Sequence, residues 1–232
     1  MTRVLTLYLL LMTLLLSPLT IIAEPISVFS YKRTPLSGAV VRVTKLDGTS
    51  YVTSLDYEGK IIVREVPLGV VILQLVEWKG VPINITYVVT PQNSTVTCDK
   101  IGELLIYVKG LRGQGLGGAS VVLTWSGKVI EQGYSSLDGS YVTELPEGEY
   151  ELKVSFGGKE GTIRVKVTGG IVTKETIELD VFLTMLGLTL GLYEFIGVVI
   201  GLILLIIVLF ILMYEYRIWR RKRLVARALR PE

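Results

Sequence analysis

Residues 135–152 read SSLDGSYVTELPEGEYEL. Two readings compete for this stretch. Asp138, Glu144, Glu147 and Glu149 can gather as ligands in a loop, or the segment can be two turns and the strands beside them. Calcium takes roughly six to eight convergent oxygens, usually from a D-x-D-x-D type loop. Here the order is different: Tyr150, Leu152, Val154 and Phe156 alternate with Glu149, Glu151, Lys153 and Ser155. A period of two marks a strand with one buried face. Glu144, Glu147, Glu149 and Glu151 then belong to a solvated face, and Asp138-Gly139 and Pro146-Glu147-Gly148 are turn signals.

The pattern occurs twice. PLSGAVVRVT at 35–44 corresponds to GLGGASVVLT at 115–124, and TSLDYEGKIIVREVPLG at 53–69 to SSLDGSYVTELPEG at 135–148. Gly38 and Gly59 are 21 residues apart, as are Gly118 and Gly139, so the period is close to 80. Ile163, Val165 and Val167 alternate with Arg164 and Lys166, while Asp47-Gly48, Gly157-Gly158 and Gly169-Gly170 punctuate the runs. Short strands separated by turns every ~8–12 residues indicate sandwiches. The expected fold is all-β, with two tandem immunoglobulin/prealbumin-like β-sandwiches over 24–100 and 101–180, followed by a single transmembrane α-helix.

These motifs carry a likeness. Gly118-Ala119 before a strand, Leu137-Asp138-Gly139 before the next, and Leu145-Pro146-Glu147-Gly148-Glu149-Tyr150 before a third resemble the carboxypeptidase regulatory-domain-like family. Its neighbours are the transthyretin-like, starch-binding-like and collagen-adhesin B-type sandwiches. The likeness covers about 26–90 and 105–179. The first repeat departs from it, with Tyr57-Glu58 inserted after Asp56 and Val70-Val71 where Glu-Tyr stands in the second. The resemblance implies a fold and no activity, because such sandwiches serve many roles. Its starch-binding-like branch implies a glycan ligand, for which Trp78 and Trp125 are candidate aromatics. Its collagen-adhesin branch implies a Lys–Asn crosslink. The second repeat has no Asn; the first offers Lys32 with Asn84 or Asn93.

Composition sets further bounds. Half the 232 residues are hydrophobic and histidine is absent. No histidine means no Ser-His-Asp or Cys-His catalysis, no HExxH zinc site and no histidine proton relay. With no paired acids and no Gly-rich phosphate loop either, nothing proposes a reaction, so neither an enzyme nor a cofactor is expected. The single cysteine, Cys98, excludes an internal disulfide. It is either a small buried hydrophobe or an interchain thiol. Residues 24–193 carry 16 basic and 18 acidic residues, whereas 215–232 carry seven and two. The basic excess sits at one end, which gives nucleic-acid binding no support.

The two ends read as membrane signals. Residues 1–23 have Arg3, an apolar run, Pro18 and a terminal Ala23, the pattern of a signal peptide. Residues 195–214, FIGVVIGLILLIIVLFILMY, are uncharged and long enough to cross a bilayer. Tyr214, Tyr216 and Trp219 follow as an aromatic belt, then Arg217, Arg220, Arg221, Lys222 and Arg223 as a topology anchor. Positive residues stay in the cytoplasm, so 215–232 is a basic cytoplasmic tail and the sandwiches face outward. Residues 181–194 form an apolar juxtamembrane segment too short to span, expected in the outer interface or against a partner. Gly187/Gly191 and Gly197/Gly201 are GxxxG pairs suited to helix association and a homo-oligomer.

Three further expectations concern partners. Asn84-Ile85-Thr86 and Asn93-Ser94-Thr95 are glycosylation sequons. Val70, Ile72 and Val76 replace charged or polar counterparts of the second repeat, which makes one strand apolar on both faces. Such a face is a candidate contact, covered by repeat 2, by the membrane-proximal segment, by another protein or by a local loop. The expected function is a non-catalytic, membrane-anchored surface protein acting in adhesion, scaffolding or partner binding. The alternatives are a polysaccharide-binding module and an accessory subunit of a transport or secretion complex. Membrane lipid is a partner in every version.

Overall fold

The computed structural model describes residues 25–228 apart from 65, 67, 68, 91 and 186, and omits the side chains of 185 and 222–228. The expected signal peptide and the Pro67-Leu68 turn lie outside the described residues. Two units share one plan. The first contains β1 (Ile26–Ser30), β2 (Val40–Lys45), β3 (Ser50–Ser54), β4 (Lys60–Ile61), β5 (Val71–Trp78), β6 (Val81–Val89) and β7 (Thr95–Cys98). The second contains β8 (Ile101–Gly110), β9 (Ser120–Trp125), β10 (Lys128–Tyr134), β11 (Ser140–Pro146), β12 (Gly148–Phe156), β13 (Lys159–Val167) and β14 (Val172–Leu179). The four-stranded sheets run β3-β2-β5-β6 and β10-β9-β12-β13; the three-stranded sheets run β4-β1-β7 and β11-β8-β14. In each unit the first and last strands pair in parallel, and the other pairs are antiparallel. The all-β fold with one C-terminal apolar helix is as the sequence predicts.

Alternation decides which faces meet. Val28, Val41, Leu73 and Leu75 form one core, while Ile106, Val121, Leu152 and Val154 form the other. Burying each such side chain contributes about 1.5–3 kcal/mol, so a one-residue slip that turned a strand's inward set to water is excluded. Cys98 lies in the first core at 0% exposure, and burial raises its thiol pKa.

The repeat is most legible in the backbone. Val28 N–H donates to the Gly59 carbonyl and Val108 N–H to that of Gly139, both at 2.8 Å. Leu36 N–H donates to Val28, and Leu116 N–H to Val108. Each bond recurs 80 residues on. This corrects one expectation about the first repeat. Gly59 matches Gly139, so Tyr57-Glu58 is no insertion, and Leu55-Asp56 stands opposite Ser135-Ser136. Leu55 and Ser135 are both buried, at 4% and 6%, whereas Leu137 is 98% exposed. The two aspartates nevertheless do one job from different positions. Asp56 accepts from Lys60 N–H at 2.7 Å, and Asp138 accepts from Ser140 N–H at 3.0 Å. Lys60 and Ser140 are equivalent, so the same amide is capped in both turns by an Asx-type bond.

The Pro-x-Gly-x-Tyr motif also has a local cause. Tyr150 is 2% exposed and its hydroxyl donates to the Pro146 carbonyl at 2.6 Å, tying the strand to the turn before it. Tyr150→Phe leaves that buried carbonyl without its donor. It should cost about 1–2 kcal/mol, read as a lower urea midpoint with an unchanged slope.

Beyond β14 the chain does not leave the sandwich at once. Val181 is fully buried in the second core. Two short strands, β15 (Leu183–Met185) and β16 (Leu188–Leu190), then pair as an antiparallel hairpin. Gly187 turns it at φ +80°, and Gly191 precedes the helix, so this pair forms no helical GxxxG. The helix, α1 (Leu192–Ala228), is 37 residues long and continues past 214 through most of the tail. Residues 192–228 contain neither Pro nor an N-terminal or C-terminal Gly stop, and the basic tail is rich in helix formers. Over Leu192–Arg221 the helix is long and apolar enough to cross a membrane.

Candidate functional site

Two contacts, one above the other along the chain, give the molecule its working geometry. The first joins the sandwiches. Lys79 and Gly80 turn the β5–β6 hairpin with φ +52° and +76°, the two-residue turn whose twist suits a hairpin. Lysine in that left-handed region is uncommon, and its side chain shows the use. Its ammonium pairs with Glu131 and donates to Thr143 Oγ1 at 3.2 Å and the Glu144 carbonyl at 2.9 Å. The three donors of the ammonium thus have three acceptors. Tyr141 donates to the other Glu131 oxygen at 2.8 Å. Val81, just past the turn, is 1% exposed and belongs to the second core.

The loop after β1 makes a further link. Lys32 pairs with Glu103, and Thr34 Oγ1 donates to Glu144 Oε1 at 2.8 Å. This places Lys32 in an ion pair across the repeats rather than beside Asn84 or Asn93, both of which are exposed. It also separates Glu144 from the acidic surface with which its alternation grouped it. Glu149 and Glu151 are exposed, as expected, and Glu144 is a half-buried part of the joint. No sequence signal distinguishes them, because the partner lies 110 residues away.

The second contact repeats the first one unit further on. Arg112 and Gln114 come after β8 as Lys32 and Thr34 come after β1. The Arg112 guanidinium lies 5.7 Å from the Phe182 ring, and Gln114 donates to the Val181 carbonyl at 3.0 Å. The β12–β13 turn at Gly157-Gly158 receives a bond from Thr189 of the β15–β16 hairpin at 3.0 Å. Beside it Lys159 pairs with Glu194 at 2.6 Å, which raises the lysine pKa above its ordinary 10.5. Glu194 also accepts from Gly191 N–H at 2.8 Å, and Asp180 from Leu192 N–H at 3.4 Å. A carboxylate on the free amides of a helix start is favourable. The Phe182 and Phe195 rings pack in a tilted arrangement with centroids 5.0 Å apart. Each sandwich therefore grips its successor along the chain with the same two loops. Glu194→Ala removes the lysine's partner and the cap together. Amides 192–195 should then exchange faster with deuterium while those of β12 and β13 keep their protection.

The other candidate residues fall on the sheet faces and the helix. Val71, Leu73 and Leu75 point inward and are buried, while Ile72 on the outer face is 37% exposed. Val70 and Val76 are half-buried, and Val76 sits at a bulge in the β5–β6 pairing. Ile72 pairs with exposed Val88, but the next row holds Arg42 bonded to Gln74 at 3.4 Å. Trp78 is 7% exposed and donates to the Ser37 carbonyl, so it is core rather than a sugar platform; Trp125 packs half-buried on the second core. Gly197 and Gly201 face open space on the helix. Arg217, Arg220 and Arg221 are exposed, and the Lys222 and Arg223 side chains lie outside the described residues.

No family model and no curated protein matches the chain, so the carboxypeptidase regulatory-like resemblance remains one of motifs. Among solved structures, the chain is similar to the Bacillus anthracis TIE protein, at 19% identity over 67% of this chain and 33% of that one, with a TM-score of 0.32. It is similar to a minor pilin of Streptococcus agalactiae, at 14% identity over 67% and 95%, TM-score 0.32. It is also similar to Klebsiella pneumoniae 5-hydroxyisourate hydrolase, at 18% identity over 33% and 90%, TM-score 0.29. The chain spans a third of the length of the first of these. Likenesses this distant carry no statement about activity, and the fold rests on the strands and their pairing.

Proposed function

We propose that this chain is a non-catalytic, single-pass surface protein that holds two β-sandwiches at a fixed attitude on the outer side of a membrane, for adhesion, scaffolding or partner binding. The observation that carries this is the repeated grip: Lys79 locks the first sandwich to the second, and Lys159 with Asp180 locks the second to the helix start. A spacer of this kind transmits orientation and needs no reacting group. The orientation follows from the basic residues after the span, which favour the cytoplasmic side. Partner contact falls to open sheet faces and edges, with Ile72 and Val88 as the apolar pair on the outer face of the first sandwich. Self-association through Gly197 and Gly201 is compatible with the bare helix surface there.

The test is cysteine accessibility in intact cells with a membrane-impermeant maleimide. Asn93→Cys should label and Arg220→Cys should label only after permeabilisation. The reverse pattern, or release of the chain by alkaline carbonate, would sink the reading.

A further inference from the structure

We infer that the foot of the second sandwich rests in the outer headgroup zone of the bilayer that its own helix crosses, with Leu111, Leu137 and Leu188 dipping into lipid. This rests on the membrane-spanning reading and adds a second, peripheral contact to it.

No free linker separates the sandwich from the helix. Val181 is fully buried, and the amides of Gly191 and Leu192 are held by Glu194 and Asp180. The helix also fixes a depth. Tyr193 is 84% exposed at the start of the apolar run, and Tyr214 is 68% exposed at its end. The 21 residues from one to the other rise about 31 Å, close to the roughly 30 Å of bilayer hydrocarbon. Tyrosines favour the headgroup level on both sides, so Tyr193 marks the outer boundary. That mark falls three residues after the hairpin ends at Leu190.

The loops gathered there expose large apolar side chains. Leu137 is 98% exposed, Leu188 68% and Leu111 46%. They come from three separate segments that meet around the helix start. Leu111 N–H donates to the Val181 carbonyl at 3.0 Å, and Thr189, next to Leu188, bonds Gly157. The Leu137 turn packs against Gly115 and Gly117, which line the same groove as Phe182 and Leu183. Turn chemistry does not ask for a leucine at 137, since Asp138 and Gly139 already meet the backbone's needs. Arg112 beside Leu111 is exposed, and an arginine flanking inserted apolar groups suits phosphate headgroups.

The repeat supplies an internal control. Tyr57 stands at the equivalent turn position 80 residues earlier and is 80% exposed. It lies about one sandwich length further out, since the ten-residue β8 alone spans about 33 Å. Full-length protein is reconstituted into phosphatidylcholine vesicles, with Leu137→Cys or Tyr57→Cys carrying a polarity-sensitive nitrobenzoxadiazole label. Cys98, being fully buried, gives only background in the parent protein. The label at 137 should emit at the blue-shifted wavelength of an apolar site and lose most of its emission to doxyl-labelled lipid. The label at 57 should show aqueous emission and no quenching. Aqueous, unquenched emission at 137 in a chain that resists carbonate extraction overturns the docking and leaves the spanning reading intact. Extraction by carbonate overturns both.

Discussion

Gly139→Ala should lower the stability of the second sandwich by about 3–5 kcal/mol, a large share of the roughly 5–15 kcal/mol that holds an ordinary domain folded. Two costs add. Gly139 sits at φ +81°, where a side chain costs about 1–2 kcal/mol. A Cβ there would also stand 2.4 Å from the Val108 carbonyl oxygen and 2.8 Å from the Leu116 amide nitrogen. Both are backbone atoms already bonded within the sheet and loop, so neither can give way cheaply. Gly118→Ala isolates the first cost: its φ is +78° and nothing lies within 4 Å of the added carbon. That variant should lose only about 1–2 kcal/mol. Urea unfolding in detergent, followed by tryptophan fluorescence, compares the two. Equal losses would mean that the close approach to Val108 and Leu116 contributes nothing. Gly59, whose Cβ would meet the Val28 carbonyl at 2.7 Å, should repeat the larger effect in the first sandwich.

Lys79→Ala should loosen the joint between the sandwiches by about 2 kcal/mol. The lysine and Glu131 side chains are only 26% and 22% exposed, so removing the ammonium leaves a largely desolvated carboxylate with Tyr141 and Thr143 as its remaining donors. The double variant Lys79→Ala/Glu131→Gln should recover part of that loss, because the unpaired charge goes with its partner. A double-mutant cycle on the unfolding free energy measures the coupling, and additive losses would exclude it. The pH dependence has a definite sign. Burial alone would raise the Glu131 pKa, but the Lys79 hydrogen bond, with those of Thr143 and Tyr141, holds it below its ordinary 4.5. A depressed carboxylate contributes in full above its unfolded value and loses that contribution as pH falls through the folded one. The joint should therefore be indifferent to pH from neutral down to about pH 5 and weaken below it.

The repeat made much of the fold readable. Strand alternation at Tyr150–Phe156 and the paired glycines Gly59 and Gly139 are local requirements, and local requirements are written where they act. The aligned repeats nevertheless misled at Leu55-Asp56 and Leu137-Asp138. Identical letters there occupy positions two residues out of step, because one amide can be capped by an aspartate from either place. Glu144 and Lys79 were invisible for another reason: their partners are distant in sequence, and an acidic residue in an alternating strand reads as surface.

What the sequence determined by itself is the number of sandwiches, the inward residues of β5 and β12, and a 20-residue apolar run able to span a bilayer. Each depends on periodicity or turn chemistry within a few residues. Only the tertiary structure decided that the two sandwiches grip their successors with equivalent loops, that Val81 enters the second core, and that β15 and β16 pair as a hairpin clamped to the helix start. Those outcomes depend on which loops meet across distances no local pattern encodes, where shape and charge complementarity select the partner.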